Sequence, residues 1–393
     1  MSDRPLSDVT VLELGHIVAG PFCSLLLADM GARVIKVEHP KGGDLVRDSS
    51  PLGNSSFNYV NRDKESITLD LKTDDGVDIF HQLLDDADVV VENFKPGTAE
   101  RLGVGYDSLK EPYPRLVYCS IKGFNEGPYA DHPALDPVAE ALSGLMSVTG
   151  HPGEPPVRSG TSVADMAASL YGAIGILAAL RQREETGEGQ KVSAPLFEST
   201  VALMGYWLSF TQAYNDVPEP LGAGHPNWAP YDVFRSADEK WVFVGPSGEH
   251  QWHALCRALD LSLHEDSRFE TIADRRENVD VLTDLLAVEL RQFDRTEIVD
   301  KLREASVPVA PVNNIREVCD DPHLEATDAL TTVHVAEGDG DSVNVPRSPI
   351  RSSAFSPIDS EDPPTLGEHT GSILASLGYS SAEIDALREQ GAI

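Results

Sequence analysis

A single carboxylate stands in an apolar stretch. The segment "VRSGTSVADMAASLYGAIGILAALRQR" (157–183) reads, after Ser162, as a helix of small and apolar residues with one acid, Asp165, in its first turn. Two chemistries fit. Ser162-x-x-Asp165 has the spacing of a capping box, and an acid near a helix N-terminus suits the macrodipole. A carboxylate so placed can also be a nucleophile toward an activated acyl group. The residues alone leave both open.

Cations are the second signal. Seven of the ten lysines (Lys36, Lys41, Lys64, Lys72, Lys95, Lys110 and Lys122) precede residue 123. Lys95 follows "VENF" and Lys122 lies in "SIKGF", both at the ends of expected strands, with Arg47 and Arg101 in nearby loops. Ligands bind at the carboxyl ends of parallel strands, so a phosphorylated, anionic ligand is expected there; ordinary surface pairing is the alternative for any one lysine. The turn Gly15-His-Ile-Val-Ala-Gly20 follows an expected strand but lacks both GxGxxG and GK[ST], so a dinucleotide reading is weak. Further on, Gly222-Ala-Gly224 precedes His225, and small residues let backbone amides approach an oxyanion; an ordinary linker is the alternative. Ser159 and Ser162 have no GxSxG frame, and the 12 His include no HExxH and no i,i+4 pair. Cys23, Cys119, Cys256 and Cys319 are far apart, so neither a disulfide framework nor a metal site is expected.

The elements that must hold these groups alternate. Strands are expected at "VTVLEL" (9–14), "RVIKVE" (33–38), "SITLDL" (66–71), "DVVVENF" (88–94) and "RLVYCSIKGF" (115–124), with helices after the first and near 76–87. That pattern predicts a parallel sheet covered on both faces. Helices are expected at 135–149, at 163 onward, and in a long run from "KVSAPLF" to Tyr214. The Pro- and Gly-rich "NDVPEPLGAGHPNWAPY" marks a boundary. Strands "YDVFRS" and "KWVFVG" and helices near 250–259, 277–293 and 296–304 follow, then the Pro-punctuated connector "PVAPVNNIREVCDDPHL", a strand "TTVHVAEG" and a last helix at 381–390. The expected division is a large α/β domain at 1–215, a small α+β domain at 216–325 and a returning segment at 326–393.

Composition narrows the partners. The 393 residues carry 64 acids against 31 bases, a net charge of −33, spread along the chain. Such a field repels nucleic acid and anionic membrane, so neither is expected as a partner. An acid-rich chain with 10 Lys against 21 Arg is expected to fold best in molar salt, where self-repulsion is screened. "MSDRPLSD" has no basic or apolar leader pattern, so a cytoplasmic protein is expected.

Taken in order, "GHIVAGPFCSLLLADMGARVIKVEHP", "VENFKPGTAERLG", "SIKGF", "LDPVAEALSGLMSVTG", "PPVRSGTSVADMAASLYGAIGILAALRQREETGEGQKV", "VPVAPV" and "LGEHTGSILASLGYS" resemble the family III CoA-transferases. The match is collinear over nearly the whole chain. The resemblance implies a Rossmann-like large domain joined by long linkers to a small domain, and an obligate homodimer of two interlocked rings. It implies that Asp165 is the nucleophile, forming an acyl anhydride and then an aspartyl-CoA thioester, with no metal and no permanently bound cofactor. The helix terminus is expected to keep Asp165 ionised. It further implies a CoA thioester held by His16, Ile17, Val18, Ala19, Asn93, Phe94, Lys95, Arg101 and Lys122, and a substrate or oxyanion loop at Gly222, Gly224 and His225. With the salt-adapted composition, it points to CoA transfer from succinyl-CoA to mesaconate or a related dicarboxylate.

Departures matter too. Some relatives have a longer glycine run before a Gln where this chain has His225, and one has a Tyr where Phe124 stands, so a formyl-CoA:oxalate pair is not expected. Racemases of the same family use a His–Asp pair. Their His falls at Leu135 here, with His132 three residues away, which lowers that reading.

Overall fold

The computed structural model describes residues 4–47, 50–336, 341–355 and 360–393. The chain divides into two compact units. The first takes in residues up to Leu145, Arg158–Tyr214 and His323–Ile393; the second takes in Met146–Val157 and Asn215–Pro322.

A six-stranded sheet organises the first unit. Its strands are β1 (Thr10–Glu13), β2 (Arg33–Glu38), β3 (Lys64–Thr68), β4 (Val89–Glu92), β5 (Val117–Ser120) and β6 (Lys191–Ser193), all parallel, in the order β3-β2-β1-β4-β5-β6. Alternation sends Val11, Val34, Val91 and Cys119 into one core and Leu12, Ile35, Val90 and Tyr118 into the other. The helices Ala19–Ala28 and Val163–Thr186 cover the first face. Asp74–Leu84 and the two C-terminal helices, Thr370–Ser376 and Ser381–Gln390, cover the second. The strand order reverses between β1 and β4, and the crevice outside the carboxyl ends at such a switch point is where open α/β sheets bind ligands.

The small residues after Asp165 have a packing cause. A Cβ at Gly172 would lie 3.1 Å from Cys23 Sγ, and one at Gly175 would lie 2.6 Å from Val192 Cγ1. The helix Val163–Thr186 therefore presses close to the sheet. It is long and apolar enough to cross a membrane by length and composition, yet half of its most apolar window is buried in the protein.

Several elements differ from expectation. The helix expected over 135–149 is two helices, Asp136–Leu142 and Leu145–Val148, parted at Gly144 with φ +85°. The long helix expected from "KVSAPLF" is an edge strand, β6, followed by two helices, Leu196–Leu203 and Gly205–Tyr214. A helix at Pro51–Val60 was not expected; Pro51 starts it and the Ser50 hydroxyl accepts from Gly53 N at 3.1 Å.

The second unit is a three-stranded antiparallel sheet, β7 (Asp232–Arg235), β8 (Trp241–Val244) and β9 (Val309–Pro311). The third strand comes from text that reads as a connector. Helices Glu249–Ala258, Val279–Leu290 and Arg295–Glu304 share its core through Trp252, Leu286 and Leu302. In the first unit's returning segment, β10 (Leu330–His334) pairs antiparallel with β11 (Ser342–Pro346). The end of the expected strand "TTVHVAEG", at 337–338, lies outside the described residues.

Candidate active site

Asp165 occupies the first turn of the helix Val163–Thr186, but the expected capping box is not there. Ser162 makes no side-chain cap. Asp136, the first residue of the helix Asp136–Leu142, does the work instead: its Oδ1 accepts from Ala164 N at 2.8 Å and from Asp165 N at 3.2 Å. One turn further along that helix lies Glu140, wholly buried. Its carboxylate accepts from Ser159 N at 2.8 Å and Ser159 Oγ at 3.0 Å. Asp136 Oδ2 is buried with no hydrogen-bond partner.

Three carboxyls thus share one end of the helix, and no lysine or arginine pairs with any of them among the described residues. Burial, and then the carboxylate of Asp136, push Asp165 up to about 7. Burial first, and then the adjoining Glu140 carboxyl, also hold Asp136 above the usual range. This corrects the expectation that the helix terminus keeps Asp165 firmly ionised. Asp136 takes the amide donors that would have stabilised its charge. Asp165 is left half-buried and weakly solvated, a carboxylate more basic, and so more nucleophilic when ionised, than an exposed one.

The β1/β4 crevice lies in the same unit. His16, Ile17 and Val18 form the turn after β1, and Ala19 starts the next helix. Asn93, Phe94 and Lys95 follow β4, and Arg101 ends the short helix Thr98–Arg101. Asn93 pairs with the His16 backbone both ways, its Oδ1 accepting from His16 N at 2.8 Å and its Nδ2 donating to His16 O at 3.0 Å. The His16 ring lies 5.3 Å from that of Phe94, and His16 Nδ1 is buried without a partner. Ser169 Oγ sits 2.7 Å from both Ala19 O and Asp165 O, bridging this turn to the helix of Asp165.

Several of the cations before residue 123 are engaged by internal acids. Lys122 Nζ is engaged by Glu92 Oε2 at 2.5 Å and Phe94 O at 2.7 Å, so it braces the β4 loop. Lys36 and Lys64 are completely buried. Lys36 reaches Glu13 Oε1 at 2.7 Å, Asp44 Oδ2 at 2.8 Å and Gly15 O at 3.0 Å. Lys64 reaches Glu13 Oε2 at 2.6 Å, Pro21 O and Asn61 Oδ1. Arg47 pairs with the buried Glu38 at 2.6 Å. These cations neutralise an internal acidic layer. Lys95 and Arg101 remain as exposed cations beside the crevice.

In the second unit, the glycine amides expected to meet an oxyanion are already paired. Gly222 N donates to Gly150 O at 2.8 Å, and Gly224 N to Leu221 O at 2.9 Å. The first amide ties the loop to the segment at Gly150, and the second is spent within the loop itself. His225 stacks on Trp228 at 3.9 Å, and its Nδ1 accepts from Asn227 N at 3.1 Å. A cavity of about 560 Å³ is lined there by His225, Trp228, Arg276 and neighbours.

Leu135 is 65% exposed, and His132 sits against Tyr129 and Phe124. No cluster of three metal-ligating side chains occurs among the described residues. Asp136, Glu140, Glu13 and Asp44 escape a reading of the sequence. Charges inside apolar strands, as in "VLEL" and "VIKVE", are the signal that could have found the buried layer; "LDP", with its acid just before a helix-starting proline, could have found Asp136.

Comparison with known proteins completes the picture. A family model described as CoA-transferase family III matches residues 6–370. The succinyl-CoA:mesaconate CoA-transferase of Haloarcula hispanica is 37% identical, covering 95% of this chain and 96% of its own. The succinate–glutarate CoA-transferase of Agrobacterium fabrum is 35% identical, covering 95% and 96%. The crystal structure of a CAIB/BAIF family protein from Brucella suis superposes with a TM-score of 0.88 at 35% identity, covering 95% of this chain and 99% of that one.

Proposed function

The chain belongs to CoA-transferase family III and is a CoA-transferase; on that premise we propose that it moves CoA from succinyl-CoA to mesaconate or a closely related dicarboxylate. The observation that carries the mechanism is Asp165, a half-buried carboxylate without a cation, held next to the β1/β4 crevice through Ser169. Its oxygen attacks the thioester carbonyl, the C–S bond breaks and CoA leaves as a thiolate, giving a succinyl-aspartyl anhydride. The thiolate then attacks the Asp165 carbonyl, releasing succinate and leaving an aspartyl-CoA thioester. The acceptor carboxylate attacks that thioester, expelling the thiolate and forming a second anhydride. Attack of the thiolate on the acceptor's carbonyl gives the new CoA ester and restores Asp165. The cycle needs no metal.

The CoA moiety is assigned to His16, Ile17, Val18, Ala19, Asn93 and Phe94, with Lys95 and Arg101 for its phosphates. Lys122 supports the site from behind. His225 and its loop are assigned to the acceptor acid. Support for the substrates comes from relatives named for succinyl-CoA with mesaconate, glutarate and citramalate. The net charge of −33 supports a cytoplasm of high salt. A homodimer is supported by apolar side chains left in water: Leu170 and Ile174 on the helix of Asp165, and the helix Gly205–Tyr214, which buries no residue. Leu135 offers no base, so the racemase reading has no support.

Mixing with succinyl-CoA and measuring the mass of the peptide bearing Asp165 tests the mechanism. The expected result is an adduct on Asp165. A panel of acids in molar KCl tests the acceptor, with mesaconate expected among the fastest. Transfer retained by D165A would overturn the mechanism, and transfer confined to monocarboxylates would overturn the substrates.

A further inference from the structure

Ile17 has φ +68°. A β-branched residue in the left-handed region is strained, because its Cβ crowds the backbone. Its own side chain does not explain the conformation, since it is 39% exposed. The restraint comes from the buried ionic layer. Asp44 Oδ1 accepts from Ile17 N at 3.0 Å, while Oδ2 accepts from Lys36 Nζ at 2.8 Å. Asp44 is in turn fixed by its own N–H, which donates to Glu38 Oε1 at 3.0 Å. Lys36 closes the loop of contacts by donating to Gly15 O at 3.0 Å, two residues before Ile17. One carboxylate therefore stands between the Ile17 amide, joined on the same oxygen by Val46 N at 3.2 Å, and the Lys36 ammonium on the other. Only a group that accepts at both oxygens satisfies both. Asparagine, with one acceptor and one amino group, must turn a donor against a donor.

The turn so held leads into Ala19, whose carbonyl lies 2.7 Å from Ser169 Oγ, itself 2.7 Å from the Asp165 carbonyl. The path from β1 into this turn thus sets where the turn stands relative to the nucleophile's helix. Resting on the assignment of this turn to CoA above, we propose that Asp44, braced by Lys36, is a positioning residue of the reaction: it holds Ile17 in the left-handed conformation that aligns the CoA-binding turn with Asp165. Strain is stored at Ile17 and offset by the buried charges.

A double-mutant cycle tests this. Wild type, D44N, I17G and D44N/I17G are compared by kcat and KM for succinyl-CoA, in the full-length protein and in molar KCl. Glycine adopts positive φ without help, so it removes the need for the restraint. D44N is expected to lose about 10–100-fold in kcat/KM, the size of effect of misplacing a substrate-positioning group by about an ångström. In the I17G background the same replacement is expected to cost less than about threefold. A purely structural role for Asp44, in neutralising Lys36, does not distinguish the two backgrounds. Equal loss in both, whether of turnover or of folding, overturns the proposal. A wild type that transfers no CoA counts instead against the functional reading. The cycle is then read in the affinity for free CoA by calorimetry, with the same two outcomes.

Discussion

Two buried carboxylate groups sit in one unit and behave in opposite ways. Under β1 to β3, Glu13, Glu38 and Asp44 face Lys36, Lys64 and Arg47. Asp44 is drawn down to about 2; burial opposes this, and Lys36 together with the Ile17 amide and His16 outweighs it. Glu13 and Glu38 are also lowered against the pull of burial. At the start of the helix Val163–Thr186, Asp136 and Asp165 face no cation and are raised, Asp165 to about 7. Burial pushes all of these acids upward, and the partner decides the outcome. The first group is architecture, with each charge answered. The second is left unanswered, and it is the group that the proposed mechanism uses.

The contrast can be broken experimentally. The largest effect is expected from D165A, which should lower transfer by about 10⁴-fold or more while leaving the circular dichroism spectrum unchanged, as is usual for loss of a nucleophile. Next comes K36M. It leaves Glu13 and Asp44 buried without one of their cations, and should cost about 3–5 kcal/mol in a denaturant titration. Activity lost with stability intact would place Lys36 in the reaction rather than the architecture.

A smaller effect concerns pH and stability. The folded state raises Asp165 from its ordinary 3.8 to about 7, so it binds that proton more tightly than the unfolded chain. The resulting contribution is fully present below about pH 4 and is lost as pH rises through 7. D165N should therefore be more stable than wild type at pH 8, by about 1–2 kcal/mol after allowance for partial exposure, and equal to it near pH 4. Asp44 has the opposite sign: its contribution is present above about 4 and is lost as pH falls toward 2. Thermal melts at pH 2, 4 and 8 check both.

The smallest change is expected from D136N, which keeps an oxygen for the two amides but removes the charge. The kcat/KM of wild type should rise with pH to a plateau above about 7. In D136N the midpoint should fall by about one unit, a gain of up to about tenfold near pH 5.5. An unmoved midpoint would show that burial alone sets Asp165.

Capping boxes show where a sequence stops being enough. Ser380-x-x-Glu383 and Ser162-x-x-Asp165 have the same spacing. The first is built as the spacing predicts, with Glu383 Oε2 accepting from Ser380 N at 2.7 Å. The second is replaced by Asp136, 28 residues before Ala164, whose amide it takes. A local pattern describes local competition, and a carboxylate brought in by tertiary packing can win it. The lysines teach the same lesson. Their clustering before residue 123 was visible, but that Lys36 and Lys64 point inward depends on which face of the sheet each strand position meets.

The sequence by itself determined the alternating strands, the parallel sheet and the singular placement of Asp165, because hydrophobic period and Pro–Gly punctuation are local properties of the chain. Which acids are paired and which stand alone was decided only by the tertiary structure. Charge pairing depends on distances between residues remote in the chain, and burial strengthens the electrostatic effect of each of those distances.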